Sequence, residues 1–153
     1  MRNHFNLALI LLLIISCNKI ENGKTLDKKD IEYNKSLKLL EVDETLYGFY
    51  SEFKNSVAGN FFTDQRIASY WIDERNSKKN IVKFAYYNEI IKIDTVYNVG
   101  ATYCPYMLVT KANNSTFKVY VDGDKKEIIA FFEGAIQEWK KSNNQNNTNH
   151  KKH

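Results

Sequence analysis

The chain has 153 residues, 43% of them hydrophobic and 14% aromatic, which fits one domain with a real core. Its 22 Lys and Arg against 18 Asp and Glu give a formal net charge of +4, a balance too even to point to nucleic acid. Histidine occurs only as His4, His150 and His153, so no triad, general base or metal ligand of that type is available through the middle of the chain.

Taken in order, residues 1–6 carry Arg2 and no acid, and residues 7–15 are an unbroken apolar run. That run is too short to cross about 30 Å of hydrocarbon as a helix, so it reads as a signal peptide. It ends Ile14-Ile15-Ser16-Cys17. An aliphatic pair, a small residue and then cysteine resemble the bacterial lipobox, in which the cysteine is lipidated and the chain is cut just before it. The resemblance implies a signal peptide over residues 1–16, an acyl anchor on Cys17, and a membrane-anchored lipoprotein of the bacterial cell envelope, on its periplasmic or cell-surface side. Cleavage would remove Arg2 and no acid, leaving 21 basic residues to 18 acidic. The other cysteine, Cys104, is expected to be an inert buried thiol.

Residues 17–41 read as the lipidated cysteine and a polar tether, with spacing for a short helix over residues 31–41. Residues 42–57 carry two periods at once. Val42, Leu46, Phe49, Phe53 and Val57 fit a helix, whereas Tyr47, Phe49 and Phe53 fit one face of a strand, and the residues alone leave both open. Residues 60–72 read as two short strands around a Thr-Asp-Gln turn. Val82, Phe84 and Tyr86 alternate as a half-buried strand, Tyr87-Asn88-Glu89 breaks the pattern, and residues 90–97 resume it. Residues 106–110 and the alternating Phe117, Val119 and Val121 are the next two strands, joined by a turn at residues 112–115. Over residues 124–142, Ile128, Phe131, Phe132, Ala135, Ile136 and Trp139 recur at helical spacing, with Asp124 placed to cap the first amides. Residues 143–153, NNQNNTNHKKH, read as a disordered polar tail.

The fold class is therefore mainly β with a C-terminal α-helix. The runs GNFFTDQRIASYWID, KFAYYNEIIKID, YMLVTK and FKVYVDGDKKEIIAFFEGAI together resemble bacterial pleckstrin-homology-like and GRAM-like domains. The shared features are Thr-Asp-x-Arg, Tyr-x-Glu-Ile, a strand ending in Thr-Lys, and a closing helix. Over residues 42–142 this resemblance implies a small bent-sheet barrel of about seven antiparallel strands, the first at residues 45–53, capped by the helix. It also implies that three loops share the barrel's open mouth, bringing Lys54, Arg75, Lys78, Lys79 and Lys111 into a basic rim for anionic head groups or an acidic partner. The phosphoinositide-binding members place a Lys and an Arg-x-Arg pair on the first two strands. Here Arg66 is followed by Ile67 and Ala68, so that ligand is not carried over.

Chemistry-bearing motifs are sparse. There is no Gly-rich phosphate loop, HExxH or CxxC, and Cys104 has no histidine to activate it. His150-x-x-His153 is a pair without supporting ligands. An aromatic sugar site of Tyr70, Trp71, Tyr86 and Tyr87 competes with the plainer expectation that these rings build the core. The expectation is a binding module with no catalytic residue, cofactor or metal, held to the membrane by its lipid and partnered by a protein or peptide. Two alternatives stand beside it. One is an α+β cone of the nuclear-transport-factor-2-like type with a small-ligand pocket, which the helical phase of residues 42–57 motivates. The other is an inhibitor or immunity lipoprotein against a secreted toxin.

Overall fold

The computed structural model describes residues 20–100 and 103–149, with the backbone alone for residues 146–149. The signal segment, Cys17 and all three histidines lie outside the described residues. Strands β1 (Ile20–Glu21), β2 (Leu46–Tyr50), β3 (Ala58–Thr63), β4 (Arg66–Trp71) and β5 (Ile81–Tyr86) form one antiparallel sheet in chain order. A second holds β6 (Ile90–Val96), β7 (Tyr106–Lys111) and β8 (Thr116–Tyr120). Helix α1 (Lys28–Ser36) precedes β2, and α2 (Lys125–Asn149) closes the fold. The protein is thus mainly β, two antiparallel sheets and a C-terminal helix, the architecture that the pleckstrin-homology-like resemblance implied. Among the described residues, no helix is long and apolar enough to cross a membrane.

β2 settles the segment with two periods, and a strand there removes the α+β cone. The reason is visible at Gly48. A Cβ on it would lie 2.4 Å from the Phe62 ring and 3.0 Å from that of Phe131, so a bare backbone lets β3 and α2 close on β2.

Strand parity divides the core in two. On the inner face of the first sheet, Phe62, Ile67 and Ala85 form one cross-strand row. They pack with Met107, Val109, Phe117 and Val119 of the second sheet and with Ile128, Phe131, Phe132 and Ala135 of α2. Phe62 and Phe131 meet edge to face at 5.0 Å, and the Trp139 indole donates to the Ile90 carbonyl at 3.2 Å. On the outer face, Phe49, Phe61, Ala68 and Tyr70 are covered by Leu26, Leu39 and the half-buried Ile31, Tyr33 and Leu37.

That outer layer corrects the reading of residues 17–41 as a polar tether. From Ile20 onward the chain is built in: β1 pairs with β2, and Leu26 is buried. Asp27 caps α1 by accepting the Lys29 amide at 3.2 Å. Few apolar residues are present because only one side of this layer touches the sheet. The short helix exists, but as Lys28–Ser36, ending before Lys38 enters a left-handed turn at φ 59°. A second correction concerns the C-terminus, where α2 continues past Ser142 to Asn149 instead of giving way to a disordered tail. Once a helix is nucleated, each added residue gains a backbone hydrogen bond without needing burial.

Candidate functional site

Above the Phe62–Ile67–Ala85 row, inner-face positions change character. The next row is Asn60, Ser69 and Lys83, and the one beyond is Ala58, Trp71 and Ile81. Ala58 and Ser69 are too small to fill the space to the second sheet, which Asn60 reaches at the Tyr120 amide, so a cleft of about 640 Å³ opens between the sheets, a volume in the usual range for ligand sites. β8 forms its other wall, with Thr116, Lys118 and Tyr120 along it, Phe117 lining it from the core side and Val119 turned to the core. The loop between β6 and β7 adds Tyr103 and Cys104.

The lining is apolar and accessible. Trp71 is 49% exposed, Ile81 53% and Tyr103 74%, a density of open apolar surface that soluble domains ordinarily bury or use. Phe53, itself exposed, lies 6.4 Å from the Trp71 ring and extends this surface. Among the described residues, the cleft is lined by two cations, Lys83 and Lys118, and one carboxylate, Glu52. The Lys118 ammonium lies 4.2 Å from the centroid of the Tyr106 ring. Cys104 is half-buried on this wall, where the sequence led us to expect a buried thiol.

The basic residues expected to share one rim are distributed differently. Arg75, Lys78 and Lys79 stay together and exposed in residues 72–80, the loop that joins Trp71 to Ile81. Within that loop the Asp73 carboxylate accepts the Arg75 and Asn76 amides. Lys54 is exposed beside α1, in a hollow shared with Asp30 and Tyr33. Lys111 is held at the other end of β5, 3.5 Å from the Glu89 carboxylate and 3.4 Å from the Phe84 carbonyl. β5 runs away from the loop, so Lys111 lies toward the opposite end of that strand.

The motif residues converge at that far end and build the scaffold. Thr63 Oγ1 accepts the amides of Gln65 and Arg66, each at 3.0 Å, closing the Thr-Asp-Gln turn. Asp64 accepts the Thr45 amide at 3.0 Å. The Tyr87 hydroxyl donates to the Thr63 carbonyl at 2.6 Å, and Glu89 accepts the Tyr86 amide at 2.9 Å. Of the four rings considered for a sugar site, Tyr70 and Tyr87 are buried, and burial pushes both hydroxyls well above their ordinary range. Tyr86 is half-buried over Arg66, which leaves Trp71 as the one of the four that is open to solvent. The residues the sequence reading missed are Ile81, Lys83, Tyr103, Lys118 and Tyr120. The available signal was small polar Asn60 and Ser69 at core-facing parity in otherwise large, apolar strands.

No family model matches the chain, and neither does any curated protein. Among solved structures, it is similar to a DUF1696 family protein with a pleckstrin-homology domain from Shewanella loihica. The two are 13% identical, the match covers 69% of this chain and 91% of that one, and the TM-score is 0.48. Strand order and register, not that likeness, define the fold described above.

Proposed function

We propose that this protein is a lipid-anchored binding module of the bacterial cell envelope, tethered through Cys17, whose inter-sheet cleft takes a protein ligand. The observation that carries the reading is the cleft itself: exposed Trp71, Ile81, Tyr103 and Tyr120 around Lys83 and Lys118. Aromatic anchors with a charged border are the usual make-up of protein-recognition surfaces. The anchor reading rests on the lipobox resemblance. It places the fold close to a membrane, since β1 begins at Ile20.

A photo-crosslinking amino acid placed at Trp71, at Tyr120 and, as a control, at Lys92 on β6 tests the cleft in living cells. Discrete protein adducts from the first two positions and none from Lys92 are expected. Equal adducts from all three, or lipid adducts alone, would discard the protein-ligand reading. Cys17→Ser tests the anchor separately, because it should move the protein from the membrane to the soluble fraction. A correctly cut variant that stays on the membrane would discard the anchor.

A further inference from the structure

The wall formed by β8 has a property beyond its side chains. Val121 donates its amide to the Pro105 carbonyl at 3.1 Å, and Lys111 donates to Ser115 at 2.9 Å. In the antiparallel ladder pairing Tyr106 with Tyr120 and Thr110 with Thr116, these bonds fix which backbone groups face β7. The groups of Phe117, Val119 and Val121 point inward to β7, and those of Thr116, Lys118 and Tyr120 point outward. Tyr120 confirms the alternation, since its outward amide is taken by the Asn60 side chain at 3.0 Å. No described residue hydrogen-bonds with the outward N–H or C=O of Thr116 or Lys118, and both residues are exposed.

Strand edges left open in this way pair with another chain unless they are blunted. We propose that β8 is a strand-addition site, at which an extended acidic peptide segment pairs with the outward groups of Thr116 and Lys118 and lies in the inter-sheet cleft. The proposal rests on the cleft being the ligand site and names the ligand's class. Side chains on alternate residues of such a strand turn toward Trp71 and Ile81, so every second residue is apolar. Between them, a carboxylate on the strand's other face meets Lys118, which has no ion-pair partner among the described residues. Asn60 ends the available edge by occupying Tyr120. A second copy of this chain is disfavoured as occupant, because symmetric pairing centred on Lys118 sets two lysines opposite each other.

The test uses the full chain in detergent micelles and a display library of randomised twelve-residue linear peptides. Selection is expected to enrich acidic sequences with an apolar residue at every second position. With an enriched peptide bound, hydrogen exchange at the Thr116 and Lys118 amides should slow about tenfold or more, as for amides newly hydrogen-bonded. N-methylation at alternate peptide amides should weaken binding about tenfold, and at the intervening amides hardly at all. Lys118→Glu should weaken the same peptide about tenfold while lowering thermal stability only by the loss of its contact with the Tyr106 ring. Peptides that perturb Trp71 but leave Thr116 and Lys118 exchanging as before would overturn strand addition and keep the cleft as a ligand site. No enriched peptide, or Trp71 emission that responds only to anionic vesicles, would overturn both readings. Protection of Thr116 and Lys118 that rises with protein concentration alone would replace the peptide by a second copy.

Discussion

The Arg66 Nε lies 2.6 Å from a Glu44 carboxylate oxygen, with both side chains sealed from solvent. Glu41 lies 3.5 Å away on the exposed side, and the guanidinium stacks 4.3 Å from the Tyr86 centroid and 5.2 Å from that of Phe84. This pair ties the loop that leads into β2 to the turn between β3 and β4. Removing one partner strands the other charge in the interior, so Arg66→Met should cost about 3–5 kcal/mol. The double change Arg66→Met with Glu44→Leu removes both charges and should recover most of that loss. Denaturant midpoints decide it: a double variant no more stable than Arg66→Met would show that packing, not the stranded carboxylate, carries the cost. Glu41→Gln, at the exposed position, should change stability by less than about 1 kcal/mol.

The layer over the outer face predicts a different failure. Leu39 is fully buried against Phe49, Phe61 and Ala68. Leu39→Ala should cost about 2–5 kcal/mol. Deleting residues 18–44 should expose the entire outer cluster, and the shortened chain should aggregate or bind a hydrophobic dye. A deletion variant that stayed monomeric and melted like the parent would return residues 18–41 to the status of a tether.

Much of this architecture is legible in the chain because large alternating residues announce it. Phe117, Val119 and Val121 gave β8, Val82 to Tyr86 gave β5, and Ile128 to Trp139 gave the buried stripe of α2. The outer layer is not legible, since Leu26, Ile31, Leu37 and Leu39 follow no single period: they belong to a cap, a short helix and a turn in succession. The cleft is harder still. It arises where Ala58, Asn60 and Ser69, in two adjoining rows, are too small to fill the space, and an unfilled volume has no sequence period. The basic set was only partly readable, because which loops share an end depends on the direction of β5. For Lys111, the decisive partner is Glu89, whose pairing comes from the bend between β5 and β6.

Gly48 gives a sharper test of how β2 is placed. Its missing side chain admits Phe62 and Phe131 from two other elements. Gly48→Ala puts a methyl group within 2.4 Å of a ring that is itself packed against α2, so neither neighbour can swing aside freely. The expected loss is about 1–3 kcal/mol, rising for Gly48→Val. Thermal melts of the two variants give the order. Variants as stable as the parent, in either case, would mean that β2 and α2 are farther apart than described.

The buried tyrosines set the alkaline limit of stability. Tyr87 is 1% exposed and Tyr70 2%, and desolvation raises both hydroxyls above the ordinary value of 10.0. Tyr50, fully buried, is raised for the same first reason. In the folded state these groups keep their protons at a pH where the unfolded chain has begun to release them. The unfolded state then binds fewer protons, so stability is fully present below about pH 10 and falls as pH rises beyond it. Each tyrosine contributes a slope of about 1.4 kcal/mol per pH unit once its unfolded form is ionised. Denaturant midpoints should therefore hold steady to about pH 9 and drop steeply by about pH 11. Tyr87→Phe separates the causes: it loses the hydrogen bond to Thr63, costing about 1 kcal/mol at neutral pH, and should unfold with a shallower alkaline slope. A midpoint that does not move up to about pH 11, or a Tyr87→Phe slope equal to the parent's, would mean that water reaches these hydroxyls in the folded protein.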